Sequence, residues 1–172
     1  MICEDALNFL KSHQPMPRDK DMPEELIKKY EETRNFFASN PDERCIPLFL
    51  HSFGDKDGYG VYQLVDEVIR LYDKEIVIPY LLEVLKNGTI FEKYWTVQIS
   101  SYFIDQRLLE SLMQIVLKEK DVDLLFITIG TLEAYLRAGI NREEILIMLG
   151  EQYKNVYDEE LRELIGEVIN DN

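Results

Sequence analysis

Histidine, cysteine and glycine are scarce in this chain, and long apolar runs are absent. Two histidines, His13 and His51, stand far apart, with no HExxH and no His cluster, so the usual zinc ligand sets are missing. Two cysteines, Cys3 and Cys45, form no CxxC; two thiols in a chain this long fit a reducing compartment better than a disulfide framework. Eight glycines supply no GxxxxGK[ST], GxGxxG or GxSxG, which removes the common phosphate-cradling and nucleophile-elbow devices. The apolar run Leu124 to Ile129 falls far short of the roughly 18 residues a membrane span needs. Met1 to Leu10 carries Glu4 and Asp5 and no apolar stretch, unlike a secretory leader. Basic residues are also few: 19 Lys and Arg stand against 33 Asp and Glu, for a net charge of -14. That sign argues against nucleic acid and against anionic membranes, both of which are bound through clustered Lys and Arg.

What is present is a globular amount of apolar side chain, 46% of 172 residues, enough for one independent domain. Its spacing is helical almost throughout, with no convincing period-two strand. A short helix is expected over Ala6 to Leu10. A proline-punctuated stretch follows (Pro15, Pro17, Pro23), and then a helix from Pro23 to about Asn40. Pro41-Asp42-Glu43 opens the next, carrying Ile46, Leu48, Phe49, Leu50 and Phe53. Gly54-Asp55-Lys56-Asp57-Gly58 reads as a turn; it lacks the further ligands of a calcium loop. From Tyr59 onward helices are expected in close succession, broken near Tyr72-Asp73, Asn87-Gly88-Thr89, Asp105, Asp121, Ala138-Gly139 and Asn155.

The pattern repeats. Ile46-Pro47-Leu48-Phe49-Leu50-His51 resembles Ile78-Pro79-Tyr80-Leu81-Leu82-Glu83, 32 residues later. Leu109-Glu110-Ser111-Leu112-Met113-Gln114 follows after 31 more, and Arg142 to Leu146 is a fainter copy. Between them Tyr59, Tyr62, Val65 and Leu71 align with Phe91, Tyr94, Val97 and Phe103, and again with Asp123, Phe126, Ile129 and Tyr135. Only Asp123 breaks the apolar pattern. Asp73 and Asp105 coincide at a helix-to-helix turn, where Asp can bond nearby backbone. Two helices per roughly 32 residues describe a helical hairpin that buries its apolar face only by stacking on its neighbours.

This I-P-x-L-L pattern and its period resemble the short HEAT-like repeats of the phycobilin-lyase type, over Cys45 to about Asn155. The resemblance implies an all-α fold: an α-solenoid of about four hairpins over 41–172, with 1–40 as an N-terminal helical cap, all in a single domain 1–172. It also implies a concave face lined by the second helix of each repeat, and it places His51, Glu83, Glu110 and Gln114 there. Trp95, whose repeat partners are Gln63 and Ile127, is either an exposed binding anchor or a core filler, with packing slightly favoured.

Some HEAT-like proteins excise alkylated bases, but they need a basic groove, and this chain has the opposite charge. Cys45 and His51 lie about one and a half turns apart, yet Cys45 sits at the apolar start of a helix and reads as packing. No cofactor, metal or catalytic residue is expected. The reading that remains is a cytoplasmic, non-catalytic module that binds a basic protein, with carboxylates steering association. Its most concrete form is an immunity protein that occludes a basic toxin or nuclease, since Phe91-Glu92-Lys93-Tyr94-Trp95 with Val97 and Ile99 is similar to HEAT-like proteins of that type. The alternatives are a scaffold or adaptor subunit and a lyase or glycosylase relative.

Overall fold

Half of the helix starts carry a side chain that accepts from a backbone N–H group left unpaired at the first turn. In the computed structural model, which describes residues 2–172, Asp73 accepts from the Glu75 amide, Asp105 from Arg107, Asp121 from Leu124 and Asp158 from Leu161. Thr89 and Glu92 form a reciprocal capping box. These caps open α5 Lys74–Asn87, α6 Ile90–Ser100, α7 Gln106–Lys118, α8 Val122–Arg137 and α10 Glu159–Asp171; the other helices, α1 Cys3–Lys11, α2 Glu24–Ser39, α3 Cys45–Leu50, α4 Val65–Ile69 and α9 Arg142–Asn155, start without a side-chain cap. No strand occurs among the described residues, and the fold is all-α. Met1, the first residue of the expected 1–40 cap, lies outside the described residues.

Alternate helices pack on one another. In one row α1 contacts α3, α3 contacts α5, α5 contacts α7 and α7 contacts α9. In the other, α2 contacts α4, α6 contacts α8 and α8 contacts α10. The pairs α1–α2, α5–α6, α7–α8 and α9–α10 join the rows. The core runs between them, from Leu7 and Leu10 through Phe49, Leu81, Leu112 and Leu132 to Leu149 and Ile165.

Several boundaries differ from expectation. Pro23 is the residue before α2 rather than its first residue, and 41–44 form a turn ahead of α3. The larger correction is at Tyr59. No regular helix begins there: Gly58, Tyr59 and Gly60 have φ of 60°, 55° and 90°, a left-handed conformation that an α-helix cannot include. Two short 3₁₀ turns, Gly58–Gly60 and Tyr62–Leu64, precede the five-residue α4. Loop 54–60 lies on the Tyr62 ring so closely that a Cβ at Gly58 would come 2.8 Å from it. Tyr59 is 60% exposed, and its Oη donates to the Asp19 carbonyl at 3.0 Å.

The repeat register shifts with it. The aromatic equivalent to Phe103 and Tyr135 is Tyr72, not the half-exposed Leu71. Tyr72 Oη accepts from the Asp42 amide at 2.7 Å, and Tyr135 Oη accepts from the Asp105 amide at 3.3 Å and donates to the Asp105 carbonyl at 3.0 Å. Each tyrosine thus reaches back 30 residues, from the end of its hairpin to the Asp at the start of the same hairpin.

Candidate functional site

His51 follows α3 as its C-terminal flanking residue and joins three helices. Its Nδ1 lies 2.8 Å from Glu92 Oε1 and its Nε2 3.1 Å from Glu83 Oε2. Glu92 is almost fully buried; its second oxygen accepts from the Thr89 amide at 2.6 Å. Burial pushes the Glu92 carboxyl up, but the Thr89 amide and His51 outweigh it and hold the group below its usual range. Both imidazole nitrogens face carboxylate oxygens, so neither is free as a base toward a substrate. Cys45 is no partner to it. Its thiol is fully buried against Tyr72 Oη at 3.5 Å, and burial pushes it up to about 12, away from the thiolate that nucleophilic chemistry requires.

The four residues expected on one face form two pairs. His51 and Glu83 are bonded to each other. Glu110 and Gln114, one turn apart on α7, line a small cleft of about 210 Å³ with Lys86, Lys93, Ser111, Lys118 and Glu119. Within it Lys93 bridges to Glu119 at 2.7 Å. The other flank of the same two residues borders a groove of about 480 Å³ with Arg107, Met113, Asn141 and Glu144. No hydrogen bond or ion pair joins the two pairs among the described residues.

Trp95 belongs elsewhere. It is 6% exposed, its Nε1 donates to the Lys56 carbonyl at 3.1 Å, and its ring meets Phe53, Tyr62 and Tyr94 at centroid distances of 5.8, 6.0 and 5.3 Å. It is mostly packed, yet it also lines a cleft of about 520 Å³. The other walls are Asp55, Lys56, Asp57 and Gln63 from the segment that replaces the expected helix, Ile90, Phe91 and Tyr94 from α6, and Asp121 and Asp123 at the start of α8. Four carboxylates thus surround three aromatic rings, with Lys56 as the single cation of the lining.

These acids were not expected as site residues, although the sequence carries a trace of them. Asp123 is where the apolar alignment with Tyr59 and Phe91 fails. That repeat position is exposed in all three copies, so it faces outward, and Phe91 and Asp123 both reach the cleft. Among the described residues no group of three or more His, Cys, Asp or Glu is placed to hold a metal ion, and no helix is long and apolar enough to cross a membrane. Comparison with protein-family models, curated proteins and solved structures returned no match for this chain.

Proposed function

We propose that this chain is a non-catalytic, cytoplasmic protein-binding module of HEAT-like solenoid type that binds a basic protein, most concretely as an immunity protein occluding a basic toxin or nuclease. The observation that carries the reading is charge: -14 over 172 residues, with carboxylates gathered around a cleft large enough for a side chain or a short segment. A field of one sign raises the encounter rate with an oppositely charged partner and discriminates against others. The solenoid reading is supported by the alternate-helix packing and by tyrosine contacts that recur at one sequence separation. The non-catalytic reading is supported by the chemistry of the strongest candidates, since His51 is engaged at both nitrogens and Cys45 is a buried thiol.

The test is retention of partners from a lysate of the source organism at low salt, followed by a salt wash. One basic protein held near stoichiometrically and released by salt, then shown to lose its activity in the complex, establishes the reading. A salt-insensitive partner, or none, overturns it. A scaffold role is the second reading, favoured by Ile147, Tyr153 and Tyr157, which are 59%, 44% and 97% exposed on α9 and the turn after it. Light scattering that reports a strict monomer would set the scaffold reading aside.

A further inference from the structure

We infer that the cleft beside Trp95 receives an arginine side chain of the partner, which makes it the recognition pocket of the binding surface; this rests on the basic-partner reading above. The first ground is composition. Asp57 and Asp123 are exposed and make no ion pair among the described residues. Asp55 has one long ion contact, to Arg18 at 3.8 Å, and accepts from the Asp19 amide at 3.3 Å, and Asp121 spends one oxygen on the α8 amide of Leu124. Four carboxylates lining one cleft give it a negative potential, which a cation placed there offsets. The second ground is the aromatic lining. A guanidinium lying on an aromatic face gains cation–π and stacking energy that a carboxylate or a neutral group does not.

Two helix N-termini, of α6 and α8, point the other way, because each carries roughly half a positive charge. Full carboxylates outweigh them. Glu92 caps the first, and Asp121 and Asp123 stand at the second. Arginine fits better than lysine because five N–H donors in a planar fork can serve several carboxylates at once, whereas an ammonium is a compact point charge. The cleft, about 520 Å³, falls within the roughly 300–1,000 Å³ typical of ligand sites. Its wall is also pre-shaped: the Trp95–Lys56 hydrogen bond and the left-handed turn at 58–60 hold the loop that carries Asp55 and Asp57.

Trp95 is the single tryptophan, so its fluorescence reports this cleft alone. The experiment titrates the full chain with capped tetra-arginine at low salt. The inference expects a saturable change in Trp95 emission, a weaker one with tetra-lysine, and none with tetra-citrulline, which keeps the shape and lacks the charge. Replacing two exposed charge partners, Asp57→Asn with Asp123→Asn, should weaken binding about tenfold, taking each exposed pair as worth several-fold. Phe91→Ala should weaken it by about threefold through the lost ring face. Glu159→Gln with Glu163→Gln, which removes the same charge from α10, should leave it unchanged, and circular dichroism should show each variant folded.

Absence of a saturable response, binding unaltered in the Asp57/Asp123 variant, or equal loss in the α10 variant would overturn the pocket. The last two outcomes leave a diffuse acidic surface, and the salt-wash experiment then decides the basic-partner reading separately.

Discussion

The two ends of the molecule build their cores from different side chains. Up to α6 the centre is aromatic. Tyr30 meets Phe49 and Tyr62 edge to face at 5.9 and 5.5 Å, Phe37 meets Phe49, and Phe53 meets Tyr62 and Trp95. From Gln106 onward the core is aliphatic, with Tyr135 its one buried aromatic. Backbone regularity follows the same division. The aliphatic end consists of four helices of 13 to 16 residues, while the aromatic end contains α3 and α4, of six and five residues, and a left-handed turn. Branched aliphatic chains fill a gap between two straight helices without disturbing either. Rings must meet at set angles and distances, and here the backbone bends to allow it. The turn at 58–60 borders the cleft beside Trp95, so the irregular end of the chain also carries that cleft.

The largest effect expected is at the aromatic centre. Phe49→Ala should destabilise by about 4 kcal/mol, because a buried ring leaves a cavity its rigid neighbours fill poorly. Leu132→Ala, at an equally buried aliphatic position, should cost about 3 kcal/mol. Urea unfolding followed by circular dichroism measures both; a costlier Leu132→Ala would reverse the ranking of the two cores. Next is the turn. Gly58→Ala combines φ of 60° with a Cβ placed 2.8 Å from the Tyr62 ring, and should cost about 2 kcal/mol or more. Gly60→Ala has φ of 90° but open space around it, and should cost only about 1 kcal/mol. Equal losses would mean that the Tyr62 contact does not shape the loop.

A smaller effect separates the tyrosines. Tyr135→Phe removes the hydroxyl that accepts from the Asp105 amide and donates to its carbonyl, and should cost about 1 kcal/mol. The chain already carries that change in its middle copy, where Phe103 stands 30 residues after Asp73. A loss near zero would make the hydroxyl bonds incidental to the packing of the repeat.

How far the sequence discloses all this depends on whether a feature is local. The caps Asp73, Asp105, Asp121 and Thr89-x-x-Glu92 are legible because each acts within its own first turn. The pairing of His51 with Glu83 is legible because both hold one position of a repeat whose successive helices, α3 and α5, lie side by side. Glu92 is not, because a capping glutamate looks the same whether or not a histidine 41 residues earlier also reaches it. The cleft beside Trp95 is illegible for another reason. It depends on the turn at 58–60, where Tyr59, which reads as an apolar helix position, is left-handed and its hydroxyl donates to the Asp19 carbonyl 40 residues earlier. One misplaced turn then moves the repeat register by a residue, from Tyr72 to Leu71.

One device is common to both ends and so tests whether they answer alike. Asp42 and Arg44 at the start of α3 repeat as Asp105 and Arg107 at the start of α7, and each arginine reaches one helix back in its row, Arg44 to Glu4 at 2.9 Å and Arg107 to Glu75 at 2.8 Å. The arginine is the leading cause that holds Asp42, Asp105 and Glu75 below the usual carboxylate range. Because these folded-state values lie below the unfolded ones, about 3.9 for Asp and 4.3 for Glu, the stability they contribute is complete above about pH 5. It is lost as pH falls through the unfolded values toward the folded ones. Arg44→Gln and Arg107→Gln should therefore be less stable than the parent at neutral pH, with gaps that close in acid. Both gaps should be the smallest of these effects, because the ion pairs are solvent-exposed and screened by salt. Thermal melts at neutral pH and in acid measure them. A gap that closes for one arginine and persists for the other would show that the persisting one acts through its aliphatic stem on the helix below, and that the two ends share the charges without sharing their energetics.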